Sequence, residues 1–206
     1  MKTIAKFMNY RLLIVLFAGL SITGCSNDDD VPAEENLPEI ITNVTLRFSN
    51  DANPNDVVTA TARDMDGDGI NPLEVQSGIT LAVDTQYTLT FEILNALNPN
   101  DIEDIGEEIS EEDDEHQFFF SFTTDAFDSP RGDGNIDTAS DPINYNDRDD
   151  NMNPVGLSTT WTTPASATTT GTFTVRLQHQ PDIKTSTTGA MDGDNDFNLT
   201  FDLTIE

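Results

Sequence analysis

The stretch NPNDIEDIGEEISEEDDEHQFFFSFTT, residues 98–124, carries the clearest information about how this chain folds. Ten of the fifteen residues from Asp101 to Glu115 are acidic, and the acidic run ends at His116, next to the aromatic-rich segment QFFFSF. A histidine and phenylalanines at alternate positions are typical of a strand with one face in a core. The sequence therefore predicts a polyanionic segment that leads into the most aromatic strand of the protein, at the edge of its hydrophobic core.

A short acidic helix is predicted within this run, over residues 101–110. Asn100 is the predicted N-cap, and the acidic residues that follow it suit the positive end of the helix dipole. Beyond Ser110 five consecutive acidic residues repel one another, so we expect the helix to fray there. The apolar stripe of the helix, with spacing i, i+3 and i+7, consists of Ile102, Ile105 and Ile109.

Period-two alternation of Thr, Val, Ile and Phe recurs along residues 39–206, and clusters of Asp, Asn, Gly and Pro separate the alternating segments. Such segments are typical of half-buried strands joined by turns. The candidate strands are residues 40–48, 56–63, 78–83, 86–94, 116–123, 143–146, 156–163, 169–179 and 197–205. Short strands with hairpin-like spacing predict a single all-β domain over residues 39–206, an antiparallel β-sandwich that is immunoglobulin-like or jelly-roll-like in broad shape.

Residues 1–24 have the layout of a secretory signal peptide. Lys2, Lys6 and Arg11 precede an apolar run of about ten residues, which is too short to cross a bilayer. Cys25 follows this run and is the only cysteine of the chain, so no disulfide can form within it. A lone thiol could instead be free or pair between molecules.

The sequence around Cys25 resembles the lipobox of bacterial lipoproteins, with an apolar residue three positions earlier and a small residue directly before the cysteine. The resemblance implies that Cys25 becomes the lipidated first residue of the mature chain and holds it on a membrane. Residues 25–38 have no hydrophobic period and predict a flexible acidic tether. The acidic residues directly after Cys25 resemble the export signal that sends lipoproteins of the Bacteroidota to the outer leaflet of the outer membrane, which implies exposure on the cell surface.

The chain is strongly acidic, with 38 acidic and 9 basic residues and a formal net charge of −29. Three of the basic residues and none of the acidic ones lie in residues 1–24, so the mature chain has a formal charge of −32. A surface of this sign repels nucleic acid and anionic lipid and attracts cations, which argues against a nucleic-acid partner. Bulk charge also keeps a tethered protein soluble, and that alternative applies less to the local acidic clusters.

Carboxylate and amide side chains alternate in four turn-like loops. Such spacing around a tight turn can direct several oxygens at one hard cation such as Ca²⁺. The first loop begins like an EF-hand, but Val75 occupies the position of the expected glutamate and predicted strands flank it, which excludes that motif. Hairpin turns require the same residue types, so a turn remains the alternative for each loop. The candidate calcium ligands are Asp64, Asp66, Asp68, Asp133, Asn135, Asp137, Asp147, Asp149, Asp192, Asp194 and Asp196.

The chain has two histidines, His116 and His179, and each is followed by glutamine. By alternation, each imidazole shares a face with the apolar residues of its own predicted strand. If the two strands are antiparallel neighbours, the start of one lies beside the end of the other, and both imidazoles lie at one rim of the core. With Asp114 and Glu115 nearby, they form a reasonable ligand set for Zn²⁺ or Cu²⁺. The alternative is a pair of core-edge histidines satisfied by backbone carbonyls.

Signatures of enzymes are missing from the sequence. It has no Gly-x-Ser-x-Gly elbow, no His-Glu-x-x-His motif, no phosphate-binding loop and no Cys–His pair. Carboxylate pairs for glycoside hydrolysis stay open in so acidic a chain, but no pair is singled out, and Trp161 and Tyr145 are the two candidate sugar platforms. We therefore predict that the protein is not an enzyme.

Four motifs resemble a family of small surface lipoproteins of flavobacteria: DMDGDG at 64–69, DEHQFF at 114–119, NPVGL at 153–157 and LQHQP at 177–181. The resemblance extends over nearly all of the mature chain. Members are often encoded beside TonB-dependent receptors and often labelled "type 1 periplasmic binding fold". That label implies two parallel α/β lobes, for which this sequence lacks the length and the alternating helices. The receptor association implies capture of a cargo for active uptake.

These features together predict an outer-membrane lipoprotein on the cell surface. Its expected role is to bind a cation or small metal complex at the rim that holds His116 and His179, in cooperation with a TonB-dependent receptor. The alternative is a structural or adhesive surface protein whose Asp-rich loops are rigidified by Ca²⁺.

Overall fold

The computed structural model describes residues 39–64 and 72–206, and the side chains of all of these except residues 168–170. They belong to the second of the two units into which the chain divides, Asn36–Glu206. The predicted signal peptide, Cys25 and the acidic tether lie outside the described residues, as do Asp66 and Asp68. Within the described part, no helix is both long and apolar enough to cross a membrane.

Two β-sheets packed against each other form the domain. In the described residues their strands are β1 (Asn43–Asn50), β2 (Val57–Arg63), β3 (Glu74–Val75), β4 (Ile79–Leu81), β5 (Gln86–Asn95), β6 (Glu103–Asp104), β7 (His116–Phe122), β8 (Ser158–Thr162), β9 (Thr168–His179) and β10 (Asp194–Ile205). The first sheet has the order β3-β2-β1-β5-β6, with β8 also paired to β5, and the second has the order β4-β10-β9-β7. Only β4 and β10 pair in parallel among these strands. The predicted antiparallel β-sandwich is confirmed.

Aromatic side chains from both sheets fill the core. Trp161 on β8 is completely buried, and the centroid of its indole ring lies 4.9 Å from those of Phe127 and Phe173. Full burial of one large apolar side chain contributes roughly 1.5–3 kcal/mol, so this cluster is a main source of the stability of the domain. The second sheet shows the predicted alternation, since the buried residues of β10 are Phe197, Leu199, Phe201, Leu203 and Ile205.

The acidic helix α1 (Ile105–Glu111) begins four residues later than predicted. Its N-cap is Asp104, whose carboxylate accepts a hydrogen bond from the backbone N–H of Glu107 at 3.3 Å. The prediction of Asn100 as the cap is wrong, because residues 103–104 pair with the end of β5 before the helix starts. The helix ends at the acidic run whose mutual repulsion was expected to terminate it.

Two further predictions differ from the structure. Ile102 is 56% exposed, because it precedes the helix, while the other two isoleucines of the predicted stripe are buried. Residues 143–146 form no strand; Tyr145 makes one isolated bridge to Thr159 instead. The short strands β3 and β6 lie below the length at which alternation can be recognised.

Strand β7 is the last strand of the second sheet, and loops cover its outer edge. The backbone N–H groups of Phe118, Phe120 and Phe122 donate to the Val155 carbonyl, the Asn135 side-chain oxygen and the Asp133 carbonyl, at 2.7, 2.9 and 2.9 Å. Unpaired strand edges invite association with other chains, and these bonds satisfy the edge internally. They also fix the strand that begins with His116.

Candidate metal centre

The two histidines lie side by side at one end of the second sheet. β7 and β9 are antiparallel neighbours, and their register places His116 directly opposite His179. The imidazole rings are stacked, with centroids 4.4 Å apart and planes inclined by 2°. Both side chains are buried. We call this end of the sheet the histidine rim and include in it His116, His179 and the neighbouring carboxylates of Glu39, Glu112, Glu115 and Asp196.

The imidazole of His116 has different surroundings at its two nitrogens. Its Nδ1 lies 3.1 Å from the backbone carbonyl oxygen of Glu112. Because a carbonyl only accepts hydrogen bonds, Nδ1 carries a proton. The other nitrogen, Nε2, lies 3.3 Å from Oε1 of Glu39 and 4.0 Å from Oδ2 of Asp196. Histidines that bind metals commonly donate one ring N–H to a carbonyl or carboxylate, which orients the other nitrogen toward the ion.

A β-bulge brings Asp196 to the rim. In the pairing of β10 with β9, Asn195 is opposite Gln178 and Phe197 is opposite Leu177, so Asp196 is an extra residue with no partner in the register. Bulges re-aim side chains and are common next to functional sites. The bulge places the carboxylate of Asp196 in the interior, where its side chain is 1% exposed.

Several buried polar atoms of the rim make no hydrogen bond to the described residues. They are Nε2 of His116, Oε2 of Glu39 and both carboxylate oxygens of Asp196. The 3.3 Å approach of Nε2 to Glu39 is an electrostatic contact without hydrogen-bond geometry. Each unsatisfied buried polar group costs about 1–3 kcal/mol, and more when it is charged, so a cluster of them requires an explanation.

His179 adds a second imidazole to these groups. Its Nε2 lies 3.3 Å from Oε2 of Glu115, whose side chain is 30% exposed and borders solvent. One ligand atom from each of Glu39, Glu112, His116 and His179 lies within 4.8 Å of every other. Two ligands of a tetrahedral ion with bonds of about 2 Å are roughly 3.3 Å apart. The four groups therefore have to move closer together to hold one ion.

The electrostatics of the rim favour bound positive charge. Burial opposes the imidazolium of His116, but Glu39, the Glu112 carbonyl and Asp196 outweigh it and raise the pKa of the imidazole. Burial likewise opposes ionisation of Glu39, yet His116 outweighs it and lowers the pKa of that carboxyl. Burial, followed by the negative charge of Glu39, raises the pKa of Asp196 to about 7. The rim therefore holds a histidine and a carboxyl that each favour the charged form of the other, beside a carboxyl whose pKa is about 7.

Of the carboxylates predicted to accompany the histidines, the structure places Glu115 at the rim but not Asp114. Asp114 is exposed in the turn after α1 and does not belong to the group of converging ligands. Glu39 and Glu112 take its place. Glu39 lies just before β1 and matches no motif. Glu112 stands four residues before His116. A helical turn brings residues at this spacing together, so the spacing could have indicated that Glu112 lies near His116.

The predicted calcium loop around Asp147 and Asp149 uses its carboxylates internally. Asp147 accepts hydrogen bonds from the backbone N–H groups of Gly156 and Ser158, at 2.8 and 3.1 Å. Both oxygens of Asp149 accept hydrogen bonds from the loop as well. Each of the four carboxylate oxygens accepts a hydrogen bond from the protein. This arrangement is the one expected of a turn, the alternative interpretation of the loop, and not of an open cation site.

The predicted loop at residues 192–196 does not assemble a ligand group among the described residues. Asp192 accepts the Gly189 backbone N–H at 2.8 Å, a local turn contact. Asp194 is exposed, opposite His179 in the register. The bulge removes Asp196 from this loop and places it at the histidine rim instead.

The remaining predicted calcium ligands fall into two sets. Asp64 is buried at the end of β2, and its partners in the motif lie outside the described residues. Asp133 and Asp137 converge with Asp141 to within 4.8 Å in an exposed loop. Asn135 does not join them, because its side chain bonds the Phe120 N–H and the Tyr145 hydroxyl.

No protein-family model matches the chain, and comparisons with curated proteins and with solved structures find no match either. The chemistry of the rim follows from its own residues. Two imidazoles with carboxylates form a mixed nitrogen and oxygen ligand set, which suits borderline divalent ions such as Zn²⁺ and Cu²⁺ better than Ca²⁺ or Mg²⁺.

Proposed function

We propose that the mature chain is a non-enzymatic lipoprotein of the outer membrane that binds a divalent transition-metal ion, Zn²⁺ or Cu²⁺, or a small complex of one, at the histidine rim. In this proposal the lipid at Cys25 holds the protein on the cell surface. The domain captures the metal there and cooperates with a TonB-dependent receptor that imports it.

The observation that supports metal binding most directly is the set of buried atoms without hydrogen-bond partners. Nε2 of His116 is directed at the carboxylates of Glu39 and Asp196, and among the described residues none of these groups is fully satisfied. A cation bonded to Nε2 and to oxygens of both carboxylates would satisfy them together. It would also offset the repulsion between two buried carboxylates, which otherwise favours protonation of Asp196.

The surroundings of the rim supply a route of entry for cations. Glu112 is exposed and Glu115 is partly exposed, so carboxylates line the solvent side of the buried histidines. The adjoining helix α1 adds Glu107, Glu108 and Glu111 on its exposed faces. Burial and negative neighbours raise the pKa of Glu108, as expected where acidic groups are dense. Such a field concentrates cations and speeds their association.

Surface location and cooperation with a receptor rest on the sequence. The lipobox-like segment before Cys25 supports lipidation, and the acidic residues after it support export to the outer leaflet. The resemblance to surface lipoproteins encoded beside TonB-dependent receptors supports a role in uptake.

The proposal is tested by calorimetric titration of the purified mature chain with Zn²⁺ and with Cu²⁺. We expect one tight site in the wild type and its loss in the double variant His116→Ala/His179→Ala. Asp114→Asn is the matched control, because it removes a neighbouring acidic charge that does not converge on the rim. Equal binding by the wild type and the double variant would overturn the proposal.

The alternative function is a structural or adhesive surface protein whose loops are stabilised by Ca²⁺. The observation that favours it is the convergence of Asp133, Asp137 and Asp141 in one exposed loop. Melting the protein with and without a chelator of Ca²⁺ distinguishes the alternatives. The structural role would be favoured if the chelator lowers the melting temperature of the wild type and of His116→Ala but not that of Asp137→Asn.

A further inference from the structure

Lys184 is the only lysine after residue 6, in a chain with 38 acidic residues, and it is not on the surface. Its side chain is 1% exposed. The amine nitrogen Nζ lies 3.2 Å from Oδ2 of Asp149 and donates a hydrogen bond to the backbone carbonyl of Asp113. Lysine is among the residues least often buried, and a buried amine requires a partner or a chemical role.

The partner of this amine also holds a side-chain amide. Oδ2 of Asp149 accepts a hydrogen bond from Nδ2 of Asn153 at 3.1 Å. Oδ1 of Asp149 accepts the backbone N–H of Asn153 at 2.7 Å and that of Asn151 at 2.9 Å, which fixes the loop. Asp149 and Asn153 are both buried. One carboxylate oxygen thus holds the amine of Lys184 and the amide of Asn153 next to each other, away from solvent.

We propose that Lys184 and Asn153 join in an intramolecular amide cross-link, with Asp149 carrying the proton between them. Two residues from separate loops would then be covalently linked beside strand β7. This site lies outside the histidine rim and does not depend on the proposed metal binding.

The reaction balances without any other reagent. The lone pair of Nζ attacks Cγ of Asn153, and a new C–N bond forms as the carbonyl π electrons move to Oδ1. Asp149 accepts a proton from Nζ and donates it to Nδ2. The electrons on Oδ1 re-form the carbonyl, the bond from Cγ to Nδ2 breaks, and ammonia leaves. A primary amine and a primary amide become a secondary amide plus ammonia, with no oxidation or reduction.

The local chemistry suits each role. Burial lowers the pKa of the Lys184 amine, which increases the share of the neutral, nucleophilic form. Burial opposes ionisation of Asp149, but the hydrogen bonds from Asn153 and the charge of Lys184 outweigh it and lower its pKa, so a carboxylate is present to accept the proton. Pro154 follows Asn153 and has no N–H. The backbone nitrogen of residue 154 therefore cannot attack Cγ of Asn153 to form a succinimide, which would compete with the cross-link.

The competing interpretation is a buried ion pair without a covalent bond. Such a pair also joins two loops, but its net contribution to stability is small because both ions are desolvated. The two interpretations differ in mass and in peptide connectivity, and neither readout depends on how stable the protein is.

Intact-mass spectrometry of the purified mature wild-type chain tests the proposal. We expect a mass lower by one ammonia than the sequence mass of the mature chain together with its lipid at Cys25. Trypsin should then leave the bond after Lys184 uncleaved and release a branched species in which residues 149–176 are joined to residues 177–206, with fragment ions that locate the link at Asn153 and Lys184. The full mass, together with normal cleavage after Lys184, would overturn the proposal.

Two variants control for other sources of ammonia loss. Lys184→Arg keeps the positive charge and cannot form this link, so it should show the full mass. Asp149→Asn keeps both reacting groups and removes the proton carrier, so it should also show the full mass, with circular dichroism to check that it folds. An ammonia loss that persists in Lys184→Arg would come from another position and would overturn the proposal.

Discussion

The imidazole rings of His116 and His179 lie face to face, with centroids 4.4 Å apart and planes inclined by 2°. The lone pair of an imidazole nitrogen lies in the plane of its ring, so parallel rings direct their lone pairs along parallel planes and not at one point. One ion bound by both histidines therefore requires one ring to turn. His116 is completely buried and bonded to the Glu112 carbonyl, whereas His179 contacts the partly exposed Glu115. We expect His179 to be the ring that turns.

The two histidines should therefore contribute unequally to metal affinity. We expect His116→Ala to abolish Zn²⁺ binding, because Nε2 of His116 is the nitrogen directed at both buried carboxylates. His179→Ala should weaken binding to a smaller extent, because the His179 ring has to turn before it can share an ion with His116. Calorimetric titration of each single variant measures the difference. Equal losses in the two variants would contradict this division of roles.

Substitution of Asp196 should change stability and metal affinity in opposite directions. Its carboxylate is buried, and neither oxygen has a hydrogen-bond partner among the described residues. Asp196→Asn removes the buried charge and supplies an N–H that can donate to Glu39. In chelator at pH 8, where Asp196 with its pKa of about 7 is mostly charged, we expect the variant to be more stable than wild type by roughly 1–3 kcal/mol, the usual cost of an unsatisfied buried polar group. Its affinity for Zn²⁺ should fall.

The pH dependence of stability checks the same substitution. Folded Asp196 holds its proton up to about pH 7, whereas the ordinary value for aspartate is 3.8. Between these values the folded state binds more protons than the unfolded state, so this residue makes the free energy of unfolding fall as pH rises. Urea titrations from pH 4 to pH 7 should show a steeper decline in wild type than in Asp196→Asn. Parallel curves for the two proteins would contradict the prediction.

The architecture could be predicted from the sequence because alternation of apolar residues reports directly on which face of a strand is buried. The same rule places His116 and His179 on the core face, and their proximity then follows from the antiparallel pairing of two strands. Strand order and register are set by contacts between distant segments, so local residue patterns do not determine them.

Two carboxylates of the rim, those of Asp196 and Glu39, could not be predicted in the same way. Asp196 precedes the buried Phe197, so strict alternation places Asp196 on the solvent face. The bulge turns its side chain to the interior instead, and no local residue pattern indicates that bulge. Glu39 reaches the rim through the path of the chain before β1, which is a tertiary property. The position of Asp114 outside the converging group has a similar cause, because the turn after α1 sets which of five consecutive acidic residues lie near the histidines.

The ion pair between His116 and Glu39 should be visible in the titration of the imidazole. Contacts with Glu39 contribute to the raised pKa of His116, so Glu39→Gln should lower that pKa, as measured by NMR in the presence of chelator. Asp114→Asn is the control and should leave the pKa of His116 close to its wild-type value, because Asp114 is outside the converging group. An unchanged pKa in Glu39→Gln would show that the two groups do not interact in solution.

The same pair has a defined effect on stability. The contribution of His116, whose folded pKa is raised, is fully present below its ordinary value of 6.5 and is lost as pH rises through the raised value. The contribution of Glu39, whose folded pKa is lowered, is present above 4.5 and is lost as pH falls through the lowered value. The loss of stability caused by Glu39→Gln should therefore be largest between pH 4.5 and pH 6.5, the ordinary pKa values of the two groups. A stability difference that does not vary with pH would contradict this linkage.

Zn²⁺ should raise the melting temperature of the domain through mass action. A ligand at 100 times its dissociation constant stabilises the folded state by about 2.7 kcal/mol. For a domain of this size that corresponds to a shift of roughly 5–10 °C. Differential scanning calorimetry of wild type and His116→Ala, each with Zn²⁺ and with chelator, measures it. A similar shift in both proteins would place the stabilising ion somewhere other than the histidine rim.

Gly134 should be far less tolerant of substitution than Gly132, although the two have nearly equal φ angles of +99° and +96°. A Cβ on Gly134 would lie 2.1 Å from the Phe120 carbonyl oxygen, whereas one on Gly132 would meet no atom of the described residues within 4 Å. Gly132→Ala therefore reports the cost of the backbone conformation alone, about 1 kcal/mol. Gly134→Ala must also displace the loop that covers the edge of β7, and we expect it to cost about 1–3 kcal/mol more. Urea unfolding of both variants measures the difference, and equal costs would mean that this loop does not hold the strand that positions His116.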